Sequence, residues 1–234
     1  MVRLSLVYYG PPGQRVNMQI LRSLPEYLIA NTSEGLWGNI NGRSAGWSRK
    51  QLDVFRGSGI KTIGYITSGY EGTGSGGGLG LEWYSLDANR RFIERMAEYD
   101  GVRGIFIDEC SPFPSPEARD YLKRLTALAH QHKLITWGNV GENDFDTWFF
   151  TDGGFDFMHS TEQWHGQDLT VLQGKYSSRI SVTGLNAGYT LEDAVRLTLD
   201  AWEKGLAYCY ITDSYLSLPS WFEEYASEIQ HRRM

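Results

Sequence analysis

The stretch of this chain best placed to do chemistry is Gly104-Ile105-Phe106-Ile107-Asp108-Glu109, an apolar run ending in two adjacent carboxylates. Short and apolar, it reads as a buried strand of a parallel sheet. Side chains alternate along a strand, so Phe106 and Asp108 share one face, Ile105 and Ile107 the other, and Glu109 sits just past the end. A charge at the rim of a buried strand needs a partner, water or a task. The plain reading is that Asp108 caps a turn or pairs with an arginine. A third acid, Glu162, ends a later apolar segment. Two carboxylates facing each other across a cleft are the apparatus of glycoside hydrolysis. One stays protonated to serve the leaving oxygen, while the other is ionised to attack or to stabilise an oxocarbenium-like state. Mutual repulsion and unequal burial separate their pKa values.

Such acids meet only if the elements behind them bring them together. Strand-like runs fall at Leu4–Tyr9, Tyr27–Asn31, Lys61–Thr67, Gly104–Glu109, Leu134–Asn139, Phe155–Glu162, Arg179–Leu185 and Ala207–Asp213. Amphipathic helical segments lie between them: Ser48–Phe55, Leu86–Tyr99, Ser115 to about His132, Thr190–Lys204 and Pro219 to about His231. Ser115 is an N-cap with Pro116 in the first turn, and Thr190 with Asp193 has capping-box spacing before a Gly205 stop. The segments Met18–Leu24, Asp144–Phe150 and Asp168–Tyr176 are shorter. Strands alternating with helices imply a parallel sheet, and eight units in 234 residues fit one (β/α)₈ TIM barrel spanning residues 1–234. The rival is a doubly wound open sheet, which calls for a glycine fingerprint after the first strand. Gly10-Pro11-Pro12-Gly13 stands there instead, and prolines do not suit a phosphate-cradling turn.

In a barrel the reactive face lies at the carboxyl ends of the strands. Those ends read Tyr8 and Tyr9, Asn31, Tyr65 and Thr67, Asp108 and Glu109, Asn139, Glu162, Asn186 and Asp213. Strands four and six are two apart in a closed ring, so their acids converge across the mouth. Trp37, Trp83, Trp137 and Trp164 fall near strand ends or in the following loops. There they offer flat faces for sugar C–H groups; about half of them are expected in the core instead.

Composition narrows the partners. Hydrophobic residues make up 41% and charged residues 21%, ordinary for a globular chain, and the net charge of −6 disfavours nucleic acid. No apolar run has the length of a membrane span, so no membrane partner is expected. The N-terminus lacks a secretory pattern, which points to the cytoplasm, or to secretion if a leader has been removed. Cys110 and Cys209 form no disulfide framework and read as buried thiols.

Several of these stretches together carry a resemblance. Gly104–Glu109, with Ile63-Gly64-Tyr65-Ile66-Thr67 before it and Tyr210-Ile211-Thr212-Asp213 and Leu218-Pro219-Ser220-Trp221 after it, resembles the spherulin-4-type family, which is similar to the α-1,4-polygalactosaminidases. Tyr8-Tyr9-Gly10, Asn31 and Gly138-Asn139 fall at comparable elements, and the likeness runs in order along the whole chain. It implies a (β/α)₈ barrel and an endo-acting glycoside hydrolase that cuts α-1,4-linked galactosamine or N-acetylgalactosamine polymers without metal or cofactor. It also implies an acidic triad of Asp108, Glu109 and Glu162. In that triad Asp108 is the nucleophile or ion stabiliser, Glu162 the general acid/base, and Glu109 orients the sugar or tunes Asp108. Tyr8, Tyr9, Asn31, Tyr65, Thr67, Asn139, Trp164 and Asp213 are the expected contacts to an amino-sugar polysaccharide or oligosaccharide. The rivals are a barrel that binds carbohydrate without turnover and a barrel enzyme that uses Asp108 as a metal ligand.

The glycine-rich segment Gly69–Gly80 departs from the family pattern; it is a lid over the cleft or an insertion. No Gly-Lys-Ser/Thr follows it, so it is no phosphate loop. The histidines form no zinc pattern, and His159 reads as a satisfied core residue more readily than a second layer to Glu162. Asp152 and Asp156 read as turn stabilisers.

Overall fold

The computed structural model describes residues 3–72, 83–167 and 174–232. Eight parallel strands close into a barrel in sequence order: β1 (Arg3–Tyr8), β2 (Tyr27–Ala30), β3 (Lys61–Thr67), β4 (Gly104–Asp108), β5 (Ile135–Asn139), β6 (Phe157–His159), β7 (Ile180–Leu185) and β8 (Tyr208–Thr212). The ring closes where Arg3 and Leu4 of β1 pair with Tyr208 and Cys209 of β8. The expected strand β3 matches residue for residue. β6 is much shorter than the expected 155–162: after His159 the regular pairing with β7 gives way to irregular backbone bonds, Thr183 N to Thr161 O and Leu185 N to Glu162 O, and Glu162 stands three residues beyond the strand's end.

Helices Gln14–Ser23, Arg49–Gly57, Leu86–Arg95, Pro116–Gln131, Leu191–Glu203 and Phe222–His231 pack around the ring. Their starts follow the chemistry of their caps. Ser115 Oγ accepts from the Ala118 N–H at 3.2 Å, and Thr190 and Asp193 bond each other's backbone in a reciprocal box. The regular alternation lapses after β5 and β6, where the described residues form 3₁₀ turns, Thr147–Phe150 and Ser177–Arg179. Aromatic rings cover the barrel there instead: Phe145, Phe149 and Phe150 cluster together, and Tyr176 stacks on Phe150 at 4.6 Å.

The lower interior is filled by side chains. Tyr27 of β2, Trp137 of β5, Phe157 of β6 and Tyr208 of β8 meet ring to ring at 5.0–6.4 Å, a contact that distant strands achieve only inside the ring. Below them Glu26 holds Arg3 and Lys61. Above them His159 lies against Phe106 and shares its Nδ1 with Ser181 Oγ at 2.9 Å. Burial pushes the His159 imidazole down to about 3, as expected of a neutral core histidine. Both cysteines are buried and free. Among the described residues no helix is long and apolar enough to cross a membrane.

Candidate active site

The interior faces of β3, β4 and β5 build the centre of the mouth. Pairing of Ile63 with Gly104 and of Gly104 with Ile135 sets the register, which brings Thr67, Asp108 and Asn139 to one level on inward-pointing positions, with Tyr65 two residues below on the same face. Asp108 is the one residue of β4 that is not fully buried, and stands half-buried at the strand's end. Its carboxylate receives three donors: Tyr65 Oη at 2.7 Å on Oδ2, and Asn139 Nδ2 at 2.7 Å and its neighbour Glu109 N at 2.8 Å on Oδ1. Burial raises its pKa, and those three bonds oppose the rise.

Asn139 makes a second bond with the same nitrogen. Its Nδ2 donates to Glu162 Oε1 at 2.9 Å, while its Oδ1 accepts from Gly141 N at 3.0 Å, which fixes the flip of the amide. One nitrogen bonded to both acids keeps Asp108 Oδ1 and Glu162 Oε1 within about 5.6 Å of each other. Glu162 is partly open to solvent and its pKa is also raised, first by burial and then by the negative charge of Asp108; the Asn139 bond opposes both. The expectation that acids from strands four and six converge is thus realised through an intervening amide on strand five.

Glu109 closes the acidic group. Its backbone is left-handed, φ 56°, which costs a residue with a Cβ about 1–2 kcal/mol. Two loop contacts hold it there: Ser68 Oγ and Tyr70 N both donate to its carbonyl, at 2.6 and 2.9 Å. The turn sends its side chain back to Thr67, whose hydroxyl donates to Oε2 at 2.5 Å. Burial and then the Asp108 charge raise its pKa, against the Thr67 bond. Strain of this kind survives where surrounding contacts over-determine it, and it concentrates at functional sites.

Tyrosines rather than tryptophans wall the mouth. Tyr9 packs on Tyr65 at 5.0 Å and on Tyr215 at 5.5 Å, and burial followed by the Asp108 charge raises its hydroxyl pKa. Asn31 supports Tyr9 by donating to its carbonyl at 3.1 Å. Tyr215 and Tyr70 were not among the expected residues, yet the charge of Glu162 reaches the first, and the charges of Glu109 and Asp108 reach the second. A hollow of about 460 Å³ opens beside Glu162, lined in part by Glu142, Asn143 and Gln163.

Two expected contacts are corrected, Tyr8 and Trp164. Tyr8 points out of the barrel, edge-on to Trp47, with its hydroxyl on the Pro11 carbonyl, because strand alternation gives the inner face to Tyr9. Trp164 is fully buried beneath the helix Leu191–Glu203, donating to Leu197 O, because Gln163 bridges Gly184 antiparallel and turns the next side chain outward. Trp137 lies in the aromatic floor, and Trp83 stacks on Phe92. Asp213 stands at the end of β8 without a hydrogen bond to the three acids among the described residues; its strand parity is that of Cys209, which faces the helices. Of the glycine-rich segment, Gly69–Gly72 forms a left-handed turn, while residues 73–80 lie outside the described residues.

No family model matches the chain, and no curated protein sequence matches it. Solved structures do. Aspergillus clavatus Sph3 in complex with GalNAc superposes with a TM-score of 0.69 at 16% identity, covering 97% of this chain and 96% of that one. Active domain 2 of a thermostable chitinase from Pyrococcus furiosus, complexed with chito-oligosaccharides, gives 0.63 at 10% identity over 99% and 97%. D-psicose 3-epimerase from Clostridium cellulolyticum H10, with D-tagatose, gives 0.57 at 7% identity over 99% and 98%. At these identities the likeness establishes the single closed barrel and nothing finer, since one barrel hosts many chemistries.

Proposed function

We propose that this chain is a glycoside hydrolase acting on an amino-sugar polymer, with Asp108, Glu109 and Glu162 as its working acids. The observation that carries the reading is the Asn139 amide nitrogen, bonded to Asp108 and Glu162 at once at the open end of the barrel. The environments of the two acids divide the roles. Asp108 collects three donors and so carries the negative charge, as a nucleophile or a stabiliser of positive charge at the anomeric carbon. Glu162 has one described donor and a negative neighbour, so the proton shared by the pair rests on Glu162, the general acid. Glu109 places a third carboxylate against the sugar from the side of β3.

The substrate we infer is an α-1,4-linked galactosamine or N-acetylgalactosamine polymer, cut internally. The sequence resemblance supports it, as does the GalNAc held by the Sph3 structure that shares this fold. The test is incubation with partly deacetylated α-1,4-galactosamine polymer and mass analysis of the products. Oligomers released by the native chain but not by Asp108→Asn or Glu162→Gln support the reading. Unchanged release by both variants refutes it, and binding without release makes the chain a carbohydrate-binding barrel.

A further inference from the structure

Beside the three acids, across Tyr70, lies a separate groove of about 710 Å³ between the β3 and β4 loops and the start of the helix Pro116–Gln131. Its volume is that of a small-molecule site. Tyr70, Glu71, Ser111, Phe113, Glu117 and Tyr121 line it. Phe113 is 62% exposed, a full aromatic ring presented to water.

The backbone that carries this ring is held on both sides. Pro112 and Pro114 flank it and fix the backbone on either side. The Pro112 carbonyl accepts from Asp146 N at 2.9 Å, and the Pro114 carbonyl from Arg119 Nε at 3.1 Å. Arg119 is in turn paired with Asp146 and lies over the Trp148 ring. The opposite wall is as firmly built. Tyr70 and Glu71 are both left-handed, φ 51° and 57°, a conformation that persists only where contacts impose it. Here the Glu71 carboxylate takes both donors of Ser111, the backbone N–H at 2.8 Å and the hydroxyl at 2.5 Å. Tyr121 fixes the floor, donating to Tyr84 O at 2.6 Å. The groove thus has firmly held backbone walls and presents two rings to solvent, Phe113 and, at 38%, Tyr70.

We propose that this groove is a saccharide subsite, with Phe113 the platform on which a pyranose ring stacks beyond the unit held at Asp108, Glu109 and Glu162. The occupant is argued from continuity: Tyr70 is a wall of the groove, its N–H bonds the Glu109 carbonyl, and the charges of Glu109 and Asp108 reach its hydroxyl. A chain lying over the acids and past Tyr70 meets Phe113 next. The proposal rests on the glycosidase reading for its ligand, and the experiment separates the two.

Size-fractionated oligosaccharides of partly deacetylated α-1,4-galactosamine polymer are the probe, and Phe113→Ala and Phe113→Trp the variants. Exposure of the ring leaves the fold of both intact. We expect Phe113→Ala to lower kcat/KM about fivefold on the long fractions, to leave the shortest cleaved oligomer unaffected, and Phe113→Trp to retain native behaviour. Retardation of the intact polymer in affinity electrophoresis, run on the same variants in the Asp108→Asn background, reads the subsite without turnover. There Phe113→Ala weakens retardation by the same factor and Phe113→Trp does not. If the native chain cleaves nothing but the polymer is retarded in this Phe113-dependent way, the subsite stands and the hydrolase reading falls. Equal losses at every length, or retardation indifferent to Phe113, overturn the subsite.

Discussion

Removing the Asn139 amide isolates the feature on which the site turns. Asn139→Ala deletes one donor from Asp108 Oδ1 and one from Glu162 Oε1 in a single change. A hydrogen bond to a charged group contributes about 1.5–3 kcal/mol; the lower figure suits acids that keep some access to water. About 1.5 kcal/mol is about one pH unit of pKa and about tenfold in rate. The sign is the same at both acids. Each bond favours the ionised carboxylate and holds down a pKa that burial raises, so its loss lets both pKa values climb further. The acid limb of the kcat/KM profile, set by ionisation of Asp108, and the alkaline limb, set by loss of the Glu162 proton, therefore both move to higher pH by about one unit. The optimum rate falls about tenfold, since Asp108 keeps the donors Tyr65 Oη and Glu109 N. The assay is release of reducing ends from the amino-sugar polymer across pH, with circular dichroism to verify the fold. Asn139→Asp goes further by replacing the shared donor with a carboxylate set between the two acids; it falls below Asn139→Ala at neutral pH and recovers in part on acidification. Limbs that stay in place, or move toward acid, would refute the assignment of both acids.

The remaining expectations follow from the same geometry. Glu109→Gly relieves the left-handed backbone by about 1 kcal/mol while removing a working carboxylate; thermal denaturation should show no loss of Tm as activity disappears. Tyr8→Phe and Trp164→Phe should leave kcat/KM within about twofold of native, because both rings face away from the mouth, whereas Trp164→Ala should cost about 3–5 kcal/mol in a denaturant titration. His159 is held neutral, with a folded pKa of about 3 against about 6.5 unfolded, so stability is lost as pH falls below about 6. In His159→Phe the slope of denaturation free energy against pH between about 6 and 4 should flatten; an unchanged slope would place the acid sensitivity elsewhere.

The barrel was legible because its local signals agree with one another. β-branched runs, the Ser115-Pro116 start and the Thr190/Asp193 box all act within a few residues, and each appears where the sequence puts it. Alternation puts Asp108 on the same face as Phe106, and the pairing of Phe106 with Trp137 of the aromatic floor makes that face the inner one. What local pattern could not supply is the choice made at strand ends. Nothing near Tyr8 and Tyr9 says which of two adjacent tyrosines turns inward; the pairing of Ser5 with Tyr27 decides it. Trp164 is turned outward by a bridge to Gly184, twenty residues away. Tyr70 reaches the site through a left-handed turn that its own type disfavours, and Tyr215 through the bond of its carbonyl to Tyr9 N across the first and last strands. The floor took Trp137 for the same reason: its ring meets partners from strands far apart in the chain.

The interlocked rings of Tyr27, Trp137, Phe157 and Tyr208, braced from below by Glu26, make the barrel a cup rather than a tube. Nothing threads it. On the proposed function, a long molecule that reaches Asp108 lies across the brim with both tails still in solvent, so its free ends need never be found first, and fragments depart by the doorway the parent used.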